Sequence, residues 1–250
     1  MGLSRLLFGA PTRTDKVPPL PIECSIAGEI YLVHLKPMAQ ARRMVMRLSR
    51  DGRFFTLSMP PRHSRKRAIE FVGLSHDWMQ KALAKAGPAH AFVDGQTFPL
   101  RGVNVTIAAT GKARGLVAYD SSTHTVHVPG SPEHMKRRLT DWLKKQAQQE
   151  LEEVSTRYAT AMQTKYVKLA VRDQKSRWGS CTSDGTLSYS WRLILAPGFV
   201  LDYVAAHEVA HLREMNHSPR FWRLVLTHCG QARAAKQWLK KNGQMLHRYG

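Results

Sequence analysis

The chain has 250 residues, 43% of them apolar and 22% charged, enough for a real hydrophobic core and unlike a disordered chain or a coiled coil. No apolar run approaches the ~20 residues that cross a bilayer, and Cys24, Cys181 and Cys229 are too widely spaced for a disulfide framework, so a cytoplasmic, reducing setting with no membrane is expected. The formal net charge is +20, a field that attracts an anionic partner, although solvation alone also accounts for it. The excess flanks one region on both sides. Residues 165–192 hold six Lys or Arg against Asp173 and Asp184, and residues 213–250 hold eight against Glu214 alone.

The start, Met1 to Phe8, is too short for a secretion signal, and Leu6 stands where a myristoylation sequence wants Ser or Thr. Residues 1–28, Pro-rich from residue 9, read as a loose N-terminal arm. Strands are expected over Ile30–Leu35, then Met44–Leu48 and Phe54–Met59 around an Asp51-Gly52 turn. Arg65–Ala86 has helical spacing of Ile69, Val72, Trp78, Met79 and Leu83, closed by Gly87-Pro88. Asp94-Gly95 marks a second hairpin, with short strands over Val103–Ala108, Val117–Tyr119 and Thr125–Val128. Residues 29–130 thus form an antiparallel β-rich region with one helix. Ser131-Pro132 opens a long helix, and residues 131–250 form the second region, unless one domain runs on from residue 29. Strands at Lys165–Val171 and Thr186–Leu193 precede a helix that begins at Pro197. No internal repeat is visible. The class is α+β.

That helix carries His207-Glu208-Val209-Ala210-His211. Residues four apart lie about 40° apart around a helix, so both imidazoles face one ion. His217, six residues on, would stand about 120° off that face in a continuous helix. Asn216 tolerates left-handed geometry and Ser218-Pro219 starts a new helix, so His217 falls in a tight turn and can swing back. His207, His211 and His217 are therefore the expected ligands of Zn²⁺, which takes three protein ligands plus a water in catalytic sites. Glu208 sits where it can take that water's proton as general base. Three ordinary histidines on a helix and its exit turn are the plain alternative.

The stretches Arg172-Asp173-Gln174-Lys175-Ser176-Arg177-Trp178-Gly179-Ser180-Cys181, Trp191 to Pro197, His207 to His211 and Arg213 to Trp222 resemble the YgjP-like metallopeptidase domain family. The hairpin over Arg43–Met59 and the helix around Trp78 resemble its N-terminal half. The resemblance implies a gluzincin-like zincin core behind a basic β-rich region, with zinc on His207, His211 and His217 and the base at Glu208. Metzincins place Gly where this chain has Glu214, which argues against that neighbouring clan.

Three weaker candidates surround the motif. Ser180 and Arg177 sit in a Gly-containing loop and are candidates for substrate binding, as is Arg192, which would steady a tetrahedral intermediate or a phosphate. Cys181 reads as a small buried residue, since a fourth protein ligand would close the metal site. Phe221 and Trp222 read as core. Three functions stay open: a zinc metallopeptidase acting on peptide or protein, a nucleoside triphosphate pyrophosphatase with Arg172, Lys175, Arg177 and Arg192 on the phosphates, and a nucleic-acid-associated protein with a zinc site.

Overall fold

The computed structural model describes residues 19–87, 89–174 and 176–250. Most of the expected arm, with Pro88 and Lys175, lies outside the described residues. Tertiary contacts group residues 19–49 and 53–82 into one unit, and residues 50–52 and 83–250 into another. The second group joins the strands before residue 130 to the helical region, so the division falls near residue 82.

In the first unit, β1 (Ile22–Ile26) and β2 (Glu29–Pro37) form one hairpin, β3 (Val45–Leu48) and β4 (Phe54–Met59) another. β1 lies inside the span expected to be a loose arm. Ile22 and Ile26 alternate inward, and Ala27-Gly28, with φ of 51° and 85°, makes the two-residue turn that pairs β1 with β2. Val33 and Leu35 on β2, with Phe55, Leu57 and Met59 on β4, bury one face at a period of two. The helix expected over residues 65–86 is two helices, α1 (Arg65–Leu74) and α2 (His76–Ala86). Ser75 breaks it: its Oγ donates to Phe71 O at 2.7 Å, and its N–H caps the same turn.

The second unit opens with β5 (Thr97–Leu100), β6 (Val103–Ala109), β7 (Ala118–Asp120) and β8 (Thr125–Val128). The expected hairpin turn at Asp94-Gly95 instead precedes β5, where the Asp94 carboxylate accepts from Ala109 N–H. The real turn is Arg101-Gly102, with φ of 51° and 80°.

The two sheets have the same plan, which corrects both the antiparallel expectation and the absence of a repeat. Their orders are β1-β2-β4-β3 and β5-β6-β8-β7, each with a parallel pair in the middle and antiparallel pairs outside. In each, the chain leaves the second strand, lays down the outer edge strand first, and returns by a hairpin to the vacant middle position. Backbone pairing records this repeat; side-chain identity hides it.

α3 (Pro132–Ala161) follows, with Ser131 extended at its start and Pro132 in its first turn. It buries Met135, Leu139, Leu143, Ala147, Leu151, Val154 and Tyr158 in one stripe. The third sheet has order β10-β11-β9, from β9 (Lys168–Arg172), β10 (Gly179–Cys181) and β11 (Thr186–Ser190); β9 runs parallel to β11 and β10 antiparallel. The strand expected to reach Leu193 stops at Ser190, whose Oγ accepts from Arg192 N–H and starts a buried 3₁₀ turn over Trp191–Leu195. α4 (Gly198–Ala210), α5 (Pro219–His228) and α6 (Ala232–Leu246) complete an α+β chain with its sheets early and its longer helices late. Among the described residues, no helix is long and apolar enough to cross a membrane.

α3 packs against α4 and the 3₁₀ turn, so it is the support on which the later site stands. Leu143 is fully buried in that stripe. Leu143→Ala is expected to lower unfolding free energy by about 2–5 kcal/mol, read from urea denaturation at pH 7.

Candidate metal centre

α4 is apolar around most of its circumference. Val200, Leu201, Val204, Ala205, Ala206, Val209 and Ala210 are all buried, so the helix is held on several sides and its polar residues face fixed neighbours. His207 is half-buried, Glu208 and His211 are buried, and His217 is exposed. Ligand nitrogens of the three histidines lie within 4.8 Å of one another. Among the described residues they form the only such group of His, Cys, Asp and Glu side chains.

The turn that returns His217 is made by the backbone. Arg213 N–H and Glu214 N–H both donate to Ala210 O, at 3.1 and 3.0 Å, and Ser218 N–H donates to Asn216 O at 2.7 Å. Asn216 does not enter the left-handed region, contrary to the sequence expectation. Tightening the last turn over Ala210 reverses the chain without it. Ser218 then caps α5, its Oγ accepting from Phe221 N–H at 3.3 Å, with Pro219 next.

The donor set fits a divalent ion. His211 Nδ1 lies 3.1 Å from Glu214 O; a carbonyl can only accept, so Nδ1 carries the proton and Nε2 presents its lone pair. His207 Nε2 and His217 Nε2 are 3.1 Å apart, close to the separation of about 3.3 Å expected for two nitrogens on one tetrahedral zinc. Burial, then the neighbouring imidazoles, hold His207 down to about 3. Burial likewise lowers His211. Both rings therefore favour the neutral, ligating form. Phe221 packs on all three imidazoles at 4.5–4.9 Å between ring centroids, and Trp222 stacks on His217 at 5.8 Å. Both were expected to be core, and they are: Phe221 is fully buried in the core and Trp222 packs against it, while their rings also line the triad.

Glu208 is 6% exposed. Burial raises its carboxyl to about 8, with Arg177 opposing the shift. Gly179 on β10 makes this position possible. A Cβ there would stand 2.6 Å from Glu208 Cγ and 2.7 Å from Oε1. The group that approaches Gly179 is thus the chain's own carboxylate. A cavity of about 220 Å³ opens beside the pair, walled by Trp178, Gly179, Tyr203, His207, Glu208 and Lys236.

The three candidate substrate residues are placed differently. Arg177 is exposed, within electrostatic reach of Glu208. Ser180 is half-buried on β10, opposite Ser188. Arg192 is buried, forms an ion pair with Asp173 and stacks 4.4 Å over Trp191, and does not line the cavity. Cys181 stands apart from the histidine group, its thiol pushed up to about 11 by burial, then by Glu208 and Asp184. Tyr203 and Lys236 had no local signal in the sequence. Lys236 reaches the site from α6 and lies 4.8 Å over the Trp222 ring.

Three imidazoles around one point with a buried carboxyl beside them constitute a metallohydrolase arrangement. The family described as YgjP-like, metallopeptidase domain, matches residues 42–242, and the chain belongs to that family, which makes it in general terms a metal-dependent peptidase. A comparison with curated proteins gave no match. Among solved structures, the crystal structure of the metallopeptidase zymogen of Pyrococcus abyssi abylysin is similar at 19% identity, over 36% of this chain and 93% of that one. Its TM-score of 0.33 is too low to carry an argument.

Two expectations follow from this geometry. Gly179→Ala displaces Glu208 but leaves the histidines, so peptide hydrolysis should fall about a hundredfold with bound metal unchanged by elemental analysis. The second concerns His247, which packs 4.8 Å from Trp178 and lies 3.3 Å from the Arg50 guanidinium. Burial, then Arg192 and Arg50, lower His247 to about 4. The unfolded chain, with an ordinary imidazole near 6.5, thus binds the extra proton first. Its contribution is present above pH 6.5 and is lost as pH falls toward 4. Urea midpoints at pH 7 and pH 5 should converge in His247→Gln relative to the parent chain.

Proposed function

We propose that this protein is a zinc-dependent peptidase of the cytoplasm in which Glu208 is the general base. The observation that carries this is the buried carboxyl of Glu208 held against Gly179 at the edge of the three-histidine group. A zinc ion on His207, His211 and His217 supplies Lewis acidity when bound, polarising a scissile carbonyl and acidifying water. Glu208 takes the proton of a water in the cavity as its oxygen attacks the carbonyl carbon, then returns it to the departing amine nitrogen.

The neighbouring strand supports a peptide substrate. β10 is the edge of its sheet, and an extended peptide can add to such an edge through main-chain hydrogen bonds. Gly179 belongs to that strand, so a peptide laid along it passes Glu208. The apolar walls of the cavity, Trp178 and Tyr203, suit a side chain of that peptide. Three free cysteines fit the reducing compartment.

Arg177 and Lys236 beside the site keep a nucleoside triphosphate as the second reading, since both could face phosphates. Arg192, already paired with Asp173, is poorly placed for that role.

Zinc-loaded protein should cleave casein or a peptide library, and Glu208→Gln should lower the rate by about 10²–10⁴ with zinc content intact. Cleavage that survives in the variant removes Glu208 as base. Pyrophosphate release from a nucleoside triphosphate panel, lost in the variant while peptides stay uncut, establishes the second reading instead.

A further inference from the structure

The repeated sheet plan lets two equivalent clefts be compared, each between the crossover after its sheet's second strand and the helix after its fourth. In the second unit the walls are Gly115, Leu116, Arg138, Asp141, Trp142 and Lys145. Its walls set one acid, Asp141, among Arg138 and Lys145, and Arg138 is tied down by donating to Gly115 O.

The first unit's cleft, about 570 Å³, has no acid in its walls. Arg42 and Arg43 come from the crossover between β2 and β3; Arg62, His63 and Arg67 come from the start of α1, and Phe71 stands beside them. The four arginines are exposed, and among the described residues none makes an ion pair. Nor does the first turn of α1 carry an acid; it reads Arg65-Lys66-Arg67. Cations beside a helix N-terminus oppose its dipole, so an anion seated there relieves two repulsions together. His63 registers the same field, its imidazole lowered by desolvation and then by Arg67 and Arg62. Around the cleft, residues 19–49 and 53–82 hold ten Lys or Arg against Glu23, Glu29, Glu70 and Asp77.

We infer that this cleft is a binding site for single-stranded nucleic acid, with Arg42, Arg43, Arg62 and Arg67 on successive phosphates and Phe71 under a base. Four guanidinium forks ask for more than one phosphate, which a polyanion supplies. Phe71, half-buried among them, adds a π-face, the pairing of cationic groove and aromatic platform that holds single strands. Binding here is independent of the peptidase chemistry, and it is read without any turnover.

The test uses the full chain and a fluorescein-labelled thymidylate 20-mer, followed by anisotropy over a sodium chloride series. Arg62→Ala/Arg67→Ala should weaken binding at least about tenfold and make the slope of log K against log salt shallower by about 1.4, two single-strand phosphate contacts. Lys112→Ala/Lys165→Ala removes equal charge from the second unit and should change affinity less than about threefold. Phe71→Leu should weaken binding about fivefold or more with the slope unchanged. Circular dichroism melts confirm that each variant is folded; should the arginine pair fail, Arg42→Ala/Arg43→Ala carries the same expectation. Equal loss in the lysine control would reduce the site to diffuse charge and overturn the inference. So would no binding of the 20-mer at low salt, an unaltered Phe71→Leu, or binding only to vesicles of anionic phospholipid.

Discussion

Glu208 sits on a helix whose neighbours leave it almost no water, and its carboxyl touches the one residue of β10 that has no side chain. Burial costs this carboxyl its hydration and raises it to about 8, with Arg177 alone opposing the shift. Much of the second unit follows from holding that contact. α3 presents an uninterrupted apolar stripe to α4, the 3₁₀ turn closes the adjoining core, and β11 fixes β10 at the distance from which Gly179 meets α4.

The third imidazole depends on a different kind of constraint. His207 and His211 share a helix face by covalent spacing alone, but His217 reaches them only because two consecutive N–H groups crowd onto Ala210 O and end the helix. Phe221, in the first turn of α5, packs against all three rings. The triad is thus one helix, one turn and one aromatic ring, and the hydrogen bond from His211 Nδ1 to Glu214 O ties the turn to the ring orientation.

The repeated strand order adds a second theme. The same backbone plan serves two sheets whose helices differ: α3 is long and supports the helix of His207 and His211, whereas α1 is short and broken at Ser75. The cleft beside α3 includes Asp141, and the equivalent cleft beside α1 gathers four arginines with Met44, His63 and Phe71 and no acid. The excess of +20 is therefore uneven in meaning. Arg192 uses its charge on Asp173, while Arg42, Arg43, Arg62 and Arg67 keep theirs facing solvent.

Local rules explain what was legible. The spacing His207, His211, His217 and the Ser218-Pro219 start depend on helical pitch and capping, which act within a few residues, so the sequence alone foresaw the grouping of the three histidines and the helix that follows. The long α3 and the β3–β4 hairpin around Asp51-Gly52 were legible for the same reason, whereas Asp94-Gly95 was misread as a hairpin turn. The break at Ser75, the strand hidden before residue 28, the parallel pairs and the contact of Gly179 with Glu208 were not. Each depends on which distant segment arrives beside which, as do Lys236 from α6 and the arginines gathered from two loops. Sequence determined the periodic elements and the donor spacing because those are set by the backbone's own geometry; tertiary structure decided the neighbours, because packing and strand order join residues that no local period relates.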